Sequence, residues 1–257
     1  MKIGVCIHTG KAEFVKSLGY DFIEENLSML EKADSEKLRT MQKNVERAGI
    51  PVYSFNTFFP TKGVSIYAPD AMEYIRGYTA RAFERAEALG GKVCVFGSSK
   101  ARYIEDGIDP AFAEQRLLDA LELCGEQADR HGLTVVLEPL NSAETNYINT
   151  VTDAADIVRR LGMKNVGALV DFYHFFMENE PDANVENAKD VLMHAHLARP
   201  NADRMAPCAE DAEALAHWAE LLKKIDYRGA ISLECRYGDE FERRLTEATP
   251  LMQAFRG

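Results

Sequence analysis

The sequence predicts an α/β fold, a single (β/α)8 TIM barrel spanning residues 1–257. Short β-branched runs alternate with helical segments along the whole chain, each pair taking roughly 30 residues, the size of a βα unit. That rhythm repeats eight times, and no Gly/Ser/Pro-rich linker or break in composition interrupts it, so no domain boundary is expected. Ionisable residues also collect at the ends of the strand candidates, where a closed barrel carries its chemistry.

Strands are expected at 2–8, 21–26, 52–57, 92–97, 134–138, 166–171, 191–197 and 230–235. The segments between them are long enough for the crossovers that parallel strands require. Residues 70–89 and 110–130 space Ala, Leu and Phe three and four apart, and Gly90-Gly91 and His131-Gly132 close them. Asp109-Pro110 supplies an N-cap followed by proline at the first helical position. Thr152-Asp153 is expected to open a helix ending at Leu161-Gly162. Residues 211–225 form an amphipathic helix with Trp218 on its apolar side, and 182–190 a short one.

Composition narrows the function. The chain is 46% apolar and 28% charged, with no apolar run near the roughly 20 residues that span a bilayer, so no membrane partner is expected. The N-terminus, MKIGVCIHTG, enters strand-like alternation at once, which leads us to expect a cytoplasmic protein. Five cysteines without CxxC spacing argue against disulfides and a zinc knuckle. A formal charge of −11 repels phosphate backbones, so nucleic acid is not an expected partner. Small neutral or metal-assisted substrates fit better.

The strand tips carry the site. TVVLEPLN (134–141) is an apolar run that ends in Glu138 and a proline. The sixth strand ends in Asp171, with His174 three residues on; the seventh carries His194 and His196; the eighth ends in Glu234, followed by Arg236. One such acid alone is more often a cap or an ion-pair partner. Four consecutive strands ending this way make a mixed N/O donor set without thiolate, suited to one divalent ion, Mn²⁺, Mg²⁺, Co²⁺ or Zn²⁺, with geometry rather than ligand type choosing among them. His194 and His196 point to the same face; His196, nearer the strand end, is the expected ligand and His194 lies one layer deeper. Of Glu24 and Glu25, one should face inward. Asn56 and Phe58 end the third strand, as part of a wall for a small sugar or, for the phenylalanine, as core. Residues 96–100 lack the glycine pattern of a phosphate loop and read as a plain βα turn.

EPLNSAETNYINT (138–150), VDFYHF (170–175), HAHLARPNADR (194–204) and LECRY (233–237) resemble the corresponding segments of the sugar isomerase/epimerase family with a xylose-isomerase-like barrel. Its members include ketose 3-epimerases, hydroxypyruvate isomerase and inosose-processing enzymes, so the resemblance implies a small-molecule sugar substrate. The resemblance implies that Glu138, Asp171, His196 and Glu234 hold the ion. It also implies that Glu138 and Glu234 act as the acid/base pair, moving a proton beside a carbonyl through a cis-enediolate. Glu144, His174 and Arg204 match family positions that contact substrate, a His donor and a positive Arg being suited to charge developing on oxygen. Two departures stand out. The run LARPNAD between His196 and Arg204 makes Arg199 a rival to Arg204. His8 ends the first strand where some epimerases place an aromatic, either binding substrate or simply packed. Relatives often form dimers or tetramers, so a homo-oligomer is possible.

Three other functions compete with this reading. A metal-dependent lyase such as an inosose dehydratase begins with the same proton removal. A phosphodiesterase of the AP-endonuclease type needs more ligands than the third and fourth strand ends supply. A sugar-binding barrel without turnover would be expected to lose one of the two glutamates, and both are present.

Overall fold

The computed structural model describes residues 1–256. In chain order it contains β1 (Lys2–Cys6), α1 (Ala12–Ser17), β2 (Phe22–Asn26), α2 (Leu27–Glu31), α3 (Ser35–Ala48), β3 (Val52–Asn56), α4 (Ala71–Ala88) and β4 (Val93–Phe96). There follow α5 (Pro110–Asp129), β5 (Thr134–Leu137), α6 (Val151–Leu161), β6 (Val166–Asp171), α7 (Phe172–Met177), α8 (Asp182–Asn187), β7 (Leu192–Leu197), α9 (Ala212–Lys224), β8 (Ala230–Leu233) and α10 (Phe241–Ala248). The strands close in sequence order, every pairing parallel, and β1 joins β8 through Lys2–Ala230 to Val5–Leu233. This is the expected (β/α)8 barrel. Among the described residues no helix is long and apolar enough to cross a membrane.

The expected strands are one or two residues too long at several ends. Pro139, without an N–H, stops the ladder after Glu138, and Glu138 and Glu234 stand just beyond β5 and β8. Their backbone N–H groups still bond to Phe96 and Leu197 carbonyls, at 3.2 and 2.9 Å, so both carboxylates hang from fixed backbone. One helix start also differs: α6 opens at Val151, because Thr150 and Asp153 form a reciprocal capping box. Asp109 caps α5 by accepting from Phe112 N–H at 3.0 Å.

Alternation along the strands sorts their side chains into two cores. Outward-facing residues such as Ile23, Phe55, Phe96, Leu137, Val170 and Leu233 pack under the helices. Inside the barrel, Val93, Val95, Val136 and Leu169 form a separate apolar cluster with Tyr53 and Met193. Phe22 fills the interior beside Gly4; a Cβ on that glycine would lie 2.2 Å from the ring.

Candidate active site

Glu138, Asp171, His196 and Glu234 converge at the C-terminal mouth, each offering an atom within 4.8 Å of the others. Three carboxylates this close and this buried repel one another unless a cation joins them. His196 sits between the glutamates, its Nδ1 3.1 Å from Glu138 Oε1 and 3.3 Å from Glu234 Oε2. Its other nitrogen, Nε2, is 2.7 Å from Glu24 Oε1. A carboxylate behind the ring fixes its orientation and leaves Nδ1 facing the acids, an arrangement common among metal-binding histidines. The donor set therefore fits one divalent ion with mixed N/O coordination.

Glu24 is the centre of a buried polar layer beneath these four residues. It accepts from Ser232 Oγ at 2.7 Å and from Ser54 Oγ, and its Oε2 lies 2.9 Å from His194 Nε2. Burial works against its charge, yet His196 and His194 outweigh burial and hold Glu24 well below the usual carboxylate range. Burial pushes the His194 imidazole below its ordinary value, Glu24 opposing, and its Nδ1 has no hydrogen-bond partner. Of the two adjacent acids, Glu24 faces inward; Glu25 instead accepts from the backbone N–H groups of Thr9 and Asn26.

The two glutamates are held differently. Burial pushes Glu138 up to about 7, the His196 contact opposing and Glu234 adding to the rise. At Glu234 burial is outweighed by Arg204 and His196, which keep its carboxyl below the usual range. Environments that drive paired acids apart in this way are characteristic of proton-transfer sites. Asn56 donates to Glu234 Oε1 at 2.8 Å. The fully buried Arg102 donates to the Glu138 carbonyl at 2.6 Å and to those of Gly97 and Tyr147 at 2.9 and 3.0 Å. Gly97 is required here, since a Cβ would fall 2.1 Å from Glu138 Oε2.

Arg204, not Arg199, reaches the site. Arg204 pairs with Asp171 Oδ2 at 2.7 Å and with Glu234, and its guanidinium lies 4.7 Å over the Tyr173 ring. Its backbone is left-handed (φ 53°), unusual for a non-glycine residue at this kind of position. Arg199 pairs instead with Asp211 at 3.4 Å. His174 is buried; its Nδ1 accepts from the Asn141 backbone N–H at 3.1 Å, and its Nε2 lies 3.4 Å from Arg204 Nη1 and 3.6 Å from Asp171 Oδ2. Burial, helped by Arg204, keeps the ring neutral. Glu144 is 3.7 Å from Arg204 at the rim.

His8 is exposed and lines a neighbouring cavity rather than joining the four-residue cluster. Phe58 is core, packed on Phe59, Phe83 and Phe96. Sequence reading did not single out Arg102, Ser54 and Ser232, and left Glu24 undistinguished from Glu25.

A family model described as a xylose isomerase-like TIM barrel matches residues 12–255. D-psicose 3-epimerase of Agrobacterium fabrum is 24% identical over 232 residues, 86% of this chain and 77% of the relative. 3-Dehydro-D-guloside 4-epimerase of Escherichia coli is 26% identical over 237 residues, 88% and 86% of the two. The crystal structure of IOLI protein with a bound zinc atom shares the fold, with a TM-score of 0.78, 19% identity and coverage of 99% of this chain and 98% of its own. By its match along nearly all its length, the chain belongs to the xylose isomerase-like TIM barrel family.

Proposed function

We propose that the chain is a divalent-metal-dependent isomerase or epimerase of sugars or small hydroxy-ketones. The observation that carries this reading is the convergence of Glu138, Asp171, His196 and Glu234 within 4.8 Å, with Glu24 behind the imidazole. The relatives named above as epimerases support it. A divalent ion held by these four residues, Mn²⁺ foremost and Zn²⁺ among the alternatives, would supply Lewis acidity toward the substrate's carbonyl and hydroxyl oxygens.

The protein's own groups account for the proton transfers. Glu138 and Glu234 reach the imidazole from the ends of β5 and β8, two carboxylates from different strands beside one substrate space. One removes the proton from the carbon beside the carbonyl, giving a cis-enediolate, and the other returns a proton to the opposite face or to the neighbouring carbon. Arg204 and His174 stabilise negative charge as it develops on oxygen, and Glu144 orients a hydroxyl at the rim. Asn56 and Arg102 hold the two glutamates in place.

The test is a panel of ketoses, hydroxypyruvate and inososes, with Mn²⁺ or Zn²⁺, in deuterated water. Deuterium entering beside the carbonyl is expected for at least one substrate, with retention or migration of the carbonyl separating epimerase from isomerase. Loss of water from an inosose would assign a lyase instead. No label in any substrate would reject the reading.

A further inference from the structure

The space beside the acid pair is small, about 170 Å³, and is lined by Glu138, Glu144, Arg204 and Glu234 with Phe59 and Ser98. Pockets that bury a small molecule usually enclose about 300–1,000 Å³. A chamber of about 620 Å³, within that range, adjoins it over the ends of β1, β2 and β3. Thr57 lines both spaces, and Asn56 lines the chamber while donating to Glu234. The chamber is thus an extension of the active site.

Its walls indicate what it takes. Ile7, Leu30 and Met41 give it an apolar side, and Met29, on α2, is 52% exposed there with no core to cover it. Thr40 and Asn44, on α3 beside Met41, add hydrogen-bonding groups, the Thr40 hydroxyl also donating to the Glu36 carbonyl at 3.0 Å. Apolar surface with a few polar groups set among it suits a sugar ring, with its C–H face and hydroxyl edge. A phosphate fits less well, because the cationic Lys37 and the imidazole of His8 share the chamber with Glu24 and Glu25.

We propose that the substrate is an extended keto-sugar, whose carbonyl end reacts between Glu138 and Glu234 while a second neutral ring occupies the chamber over β1–β3. This deepens, and rests on, the isomerase reading above.

Binding separates the two ideas, because it needs no turnover. Titration calorimetry on the Mn²⁺-supplemented protein would compare sorbitol, maltitol (sorbitol carrying a second glucose ring) and sorbitol 6-phosphate. Maltitol should bind at least about tenfold tighter than sorbitol, a difference of about 1.4 kcal/mol. Thr40→Trp, a substitution at an exposed helix position that fills the chamber, should erase that preference. Equal binding of the two polyols, tighter binding of the phosphate, or a preference that survives Thr40→Trp would overturn the proposal. Deuterium exchange into fructose with no maltitol preference would sink the chamber alone; a maltitol preference with no exchange into any ketose would sink the isomerase reading alone.

Discussion

Between β4 and β6 the barrel interior is filled by Val93, Val95, Val136 and Leu169, whereas across the axis β2, β3, β7 and β8 send in Glu24, Ser54, His194 and Ser232. Both groups are buried at a similar depth, and their chemistry is opposite. The aliphatic side gains from removing surface from water. The polar side gains little that way, and it keeps its cost down only because Glu24 takes up the hydrogen-bonding groups around it. The difference teaches a division of labour: one half of the interior stabilises the barrel, and the other aims an imidazole at the mouth.

Removing what the polar half supports should have the largest effect. Glu138→Gln or Glu234→Gln should lower kcat by about 10²–10⁴-fold, the usual worth of a general acid or base, with the protein still folded. Steady-state kinetics with circular dichroism check this; near-normal turnover in either variant would remove the acid/base pair from the mechanism. Next is the aliphatic half. Leu169→Ala should destabilise folding by about 2–5 kcal/mol while leaving metal affinity unchanged. Denaturant unfolding and metal titration on the same sample would expose any leakage between the halves.

Glu24→Gln should do the reverse. It should weaken divalent-metal binding by about 10–100-fold through loss of the carboxylate behind His196, more than it weakens the fold. Unchanged metal affinity would show that the ring is oriented by packing alone. The smallest effect is expected for Ser232→Ala, which removes one of the hydrogen bonds to Glu24. A loss of about 0.5–1.5 kcal/mol in stability is expected, with metal affinity following Glu24→Gln in direction but not in size.

The two halves also differ in how readable they were. Val136 and Leu169 lie in β-branched or aliphatic runs that announce strands, and Glu138 and Asp171 announce themselves as acids ending those runs. Their meeting with Glu234 and His196 followed from barrel closure, so most of the cluster was legible from the chain. Glu24 was not, because FIEEN offers two adjacent acids and only alternation across a closed barrel decides which faces inward. Its partner His196 is 172 residues away. Arg102 was hidden for another reason: it ends the short 3-10 helix Ser99–Arg102, too brief to carry a periodic pattern, and its partners are backbone carbonyls, which no side-chain motif betrays. Arg199 and Arg204 share one loop, and only their folded partners, Asp211 for the first and Asp171 for the second, tell them apart.

The most direct measurement is Mn²⁺ binding to metal-stripped protein, followed by electron paramagnetic resonance, for the wild type and for His196→Gln, with thermal unfolding recorded to show that the variant folds. One ion per chain is expected in the wild type, with that binding lost in the folded variant. A stoichiometry far below one, or undiminished binding without His196, would contradict the metal centre on which the proposed chemistry rests.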